Sequence, residues 1–289
     1  MKCVAKIYNS RGNKCLDAGD NPGAMEAFQK AVRHAPQWTT PWYNLGLIHK
    51  YRGEWQESYR CNAEAVRLQP ANEDAVWNMG IAATALGNWP EARRAWNLFG
   101  YPVSAGDSPP ELDLGLGPIR INPDGGAEVI WAHRIDPARA ILTNIPLPES
   151  NHRHGDLVLN DGAAVGYRRL GERDLPVLNE LAVLVPSREG TFEVAITVQT
   201  IEDLVGFEGA CTAAGCATDD WSAMQMLCKA CSEGLPHEHQ EPEIQGEHRF
   251  GVAAESLQAV QSAVSNWLAA TPRVSAGPII EHLAPLPRQ

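Results

Sequence analysis

The sequence predicts a multidomain protein in which three stacked helical hairpins precede a small β-barrel or sandwich and then an α+β module. Three changes of pattern support this fold class. Glycines recur every 34 residues through the first third of the chain, and the apolar residues then change to a period of two. Beyond position 189, strand-like alternation is mixed with apolar residues spaced three or four apart, which is typical of helices packed on a sheet.

The repeat consists of two glycine sets in step with each other. A fixed period of this length indicates similar supersecondary units that stack, because one hairpin alone cannot bury its apolar face. Small residues also keep the register, and a proline closes each of the first two units. The first set is Gly12, Gly46 and Gly80, and the second is Gly19, Gly53 and Gly87.

The second unit reads Trp42-Tyr43-Asn44-Leu45-Gly46, followed by Gly53, Ser58, Ala65 and Pro70. This pattern resembles the tetratricopeptide repeat (TPR), and the resemblance covers roughly residues 5 to 100. It implies an all-α TPR solenoid whose concave face binds a protein or peptide. The rest of the chain resembles no named family, although the combination is similar to uncharacterised bacterial TPR proteins.

The resemblance places the first helix of each hairpin along the concave face, which predicts an aromatic and amide-rich groove with little charge. In the subfamily that holds the C-terminal carboxylate of chaperones, cations occupy three positions that here carry Asn9, Asp74 and Asn78. Docking of chaperone tails is therefore not expected. Aromatic residues at helical spacing also commonly pack inside hairpins. The predicted groove residues are Asn9, Asn13, Tyr43, Leu47, Lys50, Trp77 and Ile81.

The predicted domains are a TPR domain over 1–101, a linker over 102–118, a β-rich domain over 119–188 and an α+β domain over 189–289. The linker is rich in glycine, proline and serine. Turn signals such as Asn160-Asp161-Gly162 separate short strand candidates in the β-rich domain. A split βαβ, or ferredoxin-like, arrangement is expected for the α+β domain.

A C-x2-C pair and an H-x-H pair lie close together near the end of the chain. Two thiolates and two imidazoles supply a tetrahedral shell for zinc, and a shell of four protein ligands indicates a structural ion. An all-cysteine shell that includes Cys211 and Cys216, or no metal at all, is the alternative. The predicted ligands are Cys228, Cys231, His237 and His239.

The composition narrows the functional classes. With 24 Lys and Arg against 35 Asp and Glu, the net charge of -11 disfavours a nucleic-acid binder. Without an apolar run of about 20 residues or a recognisable secretory signal, we expect a cytoplasmic protein that is not in a membrane. The leading interpretation is a protein-interaction adaptor and not an enzyme.

The sequence is also compatible with two other functions. In one, a metal-dependent, hydrolase-like enzyme uses His152 and His154 beside the zinc cluster, and the repeats recruit its substrate. In the other, an acidic regulator or immunity-type protein neutralises a basic partner.

Overall fold

The computed structural model describes residues 2–222 and 245–287. Its first hundred residues form six α-helices joined by short turns, which confirms the predicted helical hairpins. The helices are α1 (Lys2–Asp17), α2 (Asn21–His34), α3 (Thr39–Tyr51), α4 (Trp55–Leu68), α5 (Glu73–Ala85) and α6 (Trp89–Phe99). No described helix is both long enough and apolar enough to span a bilayer.

The two glycine sets have different structural roles. A Cβ atom on Gly12 would lie 2.4 Å from the ring of Phe28, so glycine allows the two helices of this hairpin to approach closely. Gly46 and Gly80 occupy the same position in the second and third hairpins. The second set lies in the turn between the paired helices and has positive φ angles of 74°, 68° and 65°, a conformation that glycine adopts without steric cost.

The chain that follows α6 packs back onto that helix. The Arg93 side chain donates hydrogen bonds to the carbonyl oxygens of Ser104, Ser108 and Pro109. Asn97 both donates to the carbonyl oxygen of Val103 and accepts from its N–H. This part of the glycine- and proline-rich segment is therefore an ordered cover for the last helix.

Five strands follow the helical unit and form a sheet that closes on itself. Strand β1 pairs antiparallel with β2 and parallel with β5, while β3 and β4 complete the circuit. Buried apolar side chains from all five strands fill its interior. The predicted β-rich region is confirmed. The strands are β1 (Gly115–Ile121), β2 (Glu128–Arg134), β3 (Arg139–Leu142), β4 (Leu157–Leu170) and β5 (Arg173–Val185).

The structure corrects one predicted turn. Asn160-Asp161-Gly162 lies inside the single strand β4, where the pairing with β5 shifts register between Asn160 and Ala164. The same residue types that favour a hairpin turn also accommodate a β-bulge, since a bulge needs a locally irregular backbone within a continuous strand.

Among the described residues 190–222 and 245–283, the chain forms a four-stranded antiparallel sheet with two helices. The strand order is β7-β8-β6-β9, and the described elements follow one another as strand, helix and strand before residue 223, then strand, helix and strand from residue 246. Phe207 and Trp267, from the two helices, pack together with a ring-centroid distance of 5.2 Å. The elements are β6 (Gly190–Val198), α7 (Ile201–Ala213), β7 (Ala217–Asp220), β8 (Gly246–Ala254), α8 (Leu257–Ala270) and β9 (Ser275–Leu283).

The chain divides into two compact units. One comprises Met1–Leu112 with Asp136–Ala138, and the other comprises Asp113–Ile135 with Arg139–Gln289. Within the second unit, Trp221 donates its indole N–H to the carbonyl oxygen of Ile145 at 3.1 Å, and the two side chains share a buried apolar cluster. The closed sheet and the four-stranded sheet therefore share packing contacts.

Candidate functional site

Three asparagine side chains meet on the first helices of hairpins one and two. Asn9 and Asn13 are one turn apart on α1, and Asn44 lies on α3. The Asn44 Nδ2 group donates to Asn9 Oδ1 at 3.2 Å and to Asn13 Oδ1 at 3.4 Å. Asn9 is buried, Asn44 is half-buried and Asn13 is exposed. We call these three residues the amide cluster.

A second polar contact joins the first helices of hairpins two and three. Lys50 Nζ donates to Asn78 Oδ1 at 3.0 Å and lies 4.4 Å from the centroid of the Tyr51 ring. Lys50 and Asn78 are 3% and 5% exposed. Their bond links α3 to α5, so part of the predicted groove surface holds the hairpins together.

The predicted aromatic residue of the third hairpin packs against the following helix. Trp77 is half-buried, and its ring meets Trp96 at 5.3 Å and Phe99 at 4.5 Å in edge-to-face geometry. Tyr101, just after α6, completes this aromatic group. These contacts assign Trp77 to packing within the hairpin.

The seven predicted groove residues therefore differ in accessibility. Only Asn13 is exposed, three are half-buried and three are buried, and whether any of them binds a ligand stays a prediction. The half-buried residues are Tyr43, Leu47 and Trp77, and the buried ones are Asn9, Lys50 and Ile81.

The four predicted zinc ligands, Cys228, Cys231, His237 and His239, lie outside the described residues. The alternative pair is described: Cys211 and Cys216 are buried in the apolar core of the four-stranded sheet and its helices. Burial raises the pKa of the Cys211 thiol to about 12 and also raises the pKa of Cys216. Both side chains therefore favour the neutral thiol in these surroundings.

The two histidines of the polar segment 151–156 lie in different surroundings. His152 is 6% exposed, its Nε2 lies 2.8 Å from Glu180 Oε1, and its Nδ1 lies 2.9 Å from the carbonyl oxygen of Ser150. His154 pairs instead with Glu189, and both of these side chains are partly exposed. His152 therefore belongs to the packing of the second unit.

One group of side chains in the second hairpin was not predicted from the sequence. Potential ligand atoms of His49, Glu57 and Cys61 all lie within 4.8 Å of one another. Glu57 and Cys61 are one turn apart on α4, while His49 lies on α3. No short sequence motif marks this set, because the turn of the hairpin separates His49 from the other two residues.

No protein-family model and no curated protein matches this chain. Solved structures resemble about a third of it. The second TPR of Spaghetti (RPAP3), bound to an HSP90 peptide, is 20% identical over 34% of this chain and 91% of that one, with a TM-score of 0.33. The TPR2B domain of yeast Sti1 is 16% identical over 34% and 78%, with a TM-score of 0.32.

MamA from Desulfovibrio magneticus RS-1 is 20% identical over 33% of this chain and 54% of that one, with a TM-score of 0.31. The fold of the helical unit is evident from its own geometry. Three helical hairpins recur every 34 residues, each with a glycine where its two helices touch and a left-handed glycine in its turn. Residues 2–99 therefore form a TPR-like helical repeat.

Proposed function

We propose that this protein is an interaction adaptor whose helical unit binds an extended peptide segment at the amide cluster. The observation that supports this proposal is the contact of Asn9, Asn13 and Asn44 across two hairpins. Their described bonds use Asn44 Nδ2 as the donor, so Asn13 Nδ2 and Asn44 Oδ1 are available to a ligand in this arrangement.

Amide side chains are suited to peptide backbone because each supplies both a donor and an acceptor. A peptide group has the same two functions, so an asparagine can form hydrogen bonds with the main chain of a partner regardless of its side chains. The bonds within the cluster hold the asparagines in place before a ligand arrives. Such preorganisation reduces the entropy that is lost on binding.

The residues at the clamp positions favour a neutral segment over an acidic peptide terminus. The clamp positions of the chaperone-binding subfamily hold Asn9, Asp74 and Asn78 in this chain. Asp74 is exposed, and Asn78 is buried in its bond with Lys50. A terminal carboxylate would lack the paired cations that bind it strongly.

The paired substitution Asn13→Ala with Asn44→Ala is expected to weaken peptide binding roughly tenfold or more, because two hydrogen bonds of about 1 kcal/mol each are lost. An array of immobilised uncharged and acidic peptides identifies the ligands of the unchanged protein. Fluorescence anisotropy on the selected peptides then measures the dissociation constants of both proteins.

The matched control replaces two exposed amide side chains on the second helices of the same hairpins, Gln29→Ala with Gln56→Ala. This variant should bind as the unchanged protein does. The proposal fails if the two double variants bind equally, or if the array retains only peptides that end in an acidic cluster.

We also propose a zinc-stabilised, ferredoxin-like module at the end of the chain, next to a β-barrel. The strand order β7-β8-β6-β9, together with the two described helices, supports the ferredoxin-like topology. The pairing of β1 with β5 supports the β-barrel. The ligand spacing of Cys228, Cys231, His237 and His239 supports the zinc ion.

Metal analysis tests the zinc proposal. When both are purified without chelator, the double variant Cys228→Ser with Cys231→Ser should contain about one zinc ion per chain less than the unchanged protein. A four-ligand shell rarely survives the loss of two thiolates. Cys3→Ser, at an exposed position of α1, is the control and should leave the metal content unchanged. Equal zinc content in all three proteins would refute a site at these residues.

A further inference from the structure

We propose that the second helical hairpin contains a binding site for a zinc-class divalent cation, formed by His49, Glu57 and Cys61. A ring nitrogen, a carboxylate oxygen and the thiol sulfur of these residues lie within 4.8 Å of one another. This site is separate from the predicted cysteine-histidine cluster near the end of the chain and from the amide cluster.

The fold brings the three ligands together without unusual backbone geometry. Glu57 and Cys61 are four residues apart on α4, so their side chains lie on the same face of that helix. His49 reaches them from the last turn of α3, near the point where the hairpin reverses. An ion at this point would tie the two helices together beside their turn.

His49 makes a hydrogen bond to a carboxylate through one ring nitrogen, as metal-bound histidines commonly do. His49 is 8% exposed, and its Nδ1 is hydrogen-bonded to Glu54 Oε2 at 2.5 Å. Arg52 donates to the other oxygen of Glu54 at 2.7 Å and so fixes that carboxylate. With Nδ1 donating its proton to Glu54, the lone pair of Nε2 is available for coordination.

Glu57 can bind an ion without losing its described ion pair. Both Arg60 contacts, at 2.9 Å and 2.7 Å, are made to Oε2. Coordination through Oε1 leaves them intact. The Glu57 side chain is 46% exposed, which gives an ion and its remaining water ligand a route from solvent.

Cys61 supplies the soft ligand from the interior. It is fully buried and packs with Phe28, Leu45 and Ile48. On coordination its thiol releases a proton to solvent, and the thiolate sulfur bonds to the cation. One sulfur, one imidazole nitrogen and one carboxylate oxygen match the ligand preferences of Zn²⁺ and disfavour Mg²⁺ and Ca²⁺, which prefer oxygen.

Cobalt(II) is a suitable probe because it replaces zinc in such sites and gives a charge-transfer absorption only when thiolate binds it. The titration uses the full chain with Cys228→Ser and Cys231→Ser, so that the predicted C-terminal ligands do not contribute. We expect a thiolate-to-cobalt band that saturates at one ion per chain, and zinc should abolish it by competition.

Adding Cys61→Ser should remove the band, whereas adding Cys15→Ser should not. Cys15 is the matched control because it packs at the edge of the same apolar cluster but is not one of the three ligands. Absence of the band in the parent chain, or its persistence after Cys61→Ser, would overturn the proposal.

Two carboxylate variants keep the test decisive if Cys61→Ser disturbs folding, which circular dichroism would show. Glu57→Gln removes a ligand at a partly exposed position and should weaken cobalt binding at least tenfold. Glu54→Gln removes the support of His49 and should weaken it by roughly 10- to 100-fold. Unchanged affinity in both variants would exclude the site.

Discussion

Replacing Gly80 with alanine is expected to destabilise the helical unit by roughly 1–3 kcal/mol, because the added methyl group overpacks a filled interface. A Cβ at this position would lie 2.5 Å from the ring of Trp96, which is fully buried. At a solvent-exposed position inside a helix, the same change from glycine to alanine is favourable by about 1 kcal/mol. Urea unfolding followed by circular dichroism measures the difference.

A second substitution separates the steric cost from other effects. In a Trp96→Leu background the ring is absent, and the cost of alanine at position 80 should fall by roughly 0.5–3 kcal/mol, the usual coupling between residues in contact. Gly209→Ala is the control, since this exposed glycine of α7 has no neighbouring atom within 4 Å of an added Cβ. A cost that is the same with and without Trp96 would contradict this explanation.

Replacing His152 with alanine is expected to destabilise the second unit by about 3–5 kcal/mol, the cost of leaving one member of a buried ion pair without its partner. The side chains of His152 and Glu180 are each 7% exposed. Both imidazole nitrogens face acceptors, Glu180 and the Ser150 carbonyl oxygen, and only the imidazolium can donate to both.

The pH dependence of this effect has a definite sign. Burial lowers the pKa of His152, but Glu180, the Ser150 carbonyl oxygen and the charge of Asp156 together raise it above its ordinary value of 6.5. The stabilisation is therefore complete below pH 6.5 and is lost as the pH rises through the higher folded-state pKa. Between pH 6 and pH 9 the melting temperature of the unchanged protein should fall, and that of His152→Ala should fall less.

His154→Ala is the matched control for both measurements. His154 lies two residues away and also pairs with a carboxylate, but its side chain is 24% exposed and that of Glu189 is 27% exposed. Its removal should cost less than about 1 kcal/mol, because solvent screens such a pair. Equal losses for the two histidines would show that burial of the His152–Glu180 pair has no special effect.

The elements that were predicted correctly are those specified by regular patterns within one stretch of the sequence. The 34-residue glycine period indicated three hairpins because each glycine acts on a neighbour only sixteen residues ahead, as Gly12 does on Phe28. Alternating apolar residues likewise indicated the β-rich region. Asn160-Asp161-Gly162 was misread as a turn because a bulge and a turn favour the same residue types.

Site residues were harder to predict because their partners are distant in the chain. The helical period placed Asn9 and Asn44 on first helices, but their hydrogen bond depends on how two hairpins pack. The same period did not distinguish Trp77, which packs against α6, from an exposed groove residue. The cluster of His49, Glu57 and Cys61 has no short motif, since its ligands lie on both sides of a turn.

The amino-acid sequence alone determined that stacked helical hairpins are followed by sheet-rich structure, because the repeat period, the alternation of apolar residues and the turn residues can be read directly from the sequence. The tertiary structure decided which polar side chains meet, which aromatic residues are buried and which carboxylate faces His152. Those outcomes depend on contacts between different elements of the fold, such as Lys50 with Asn78 and His152 with Glu180, each pair 28 positions apart. Only the packing of complete elements specifies such contacts.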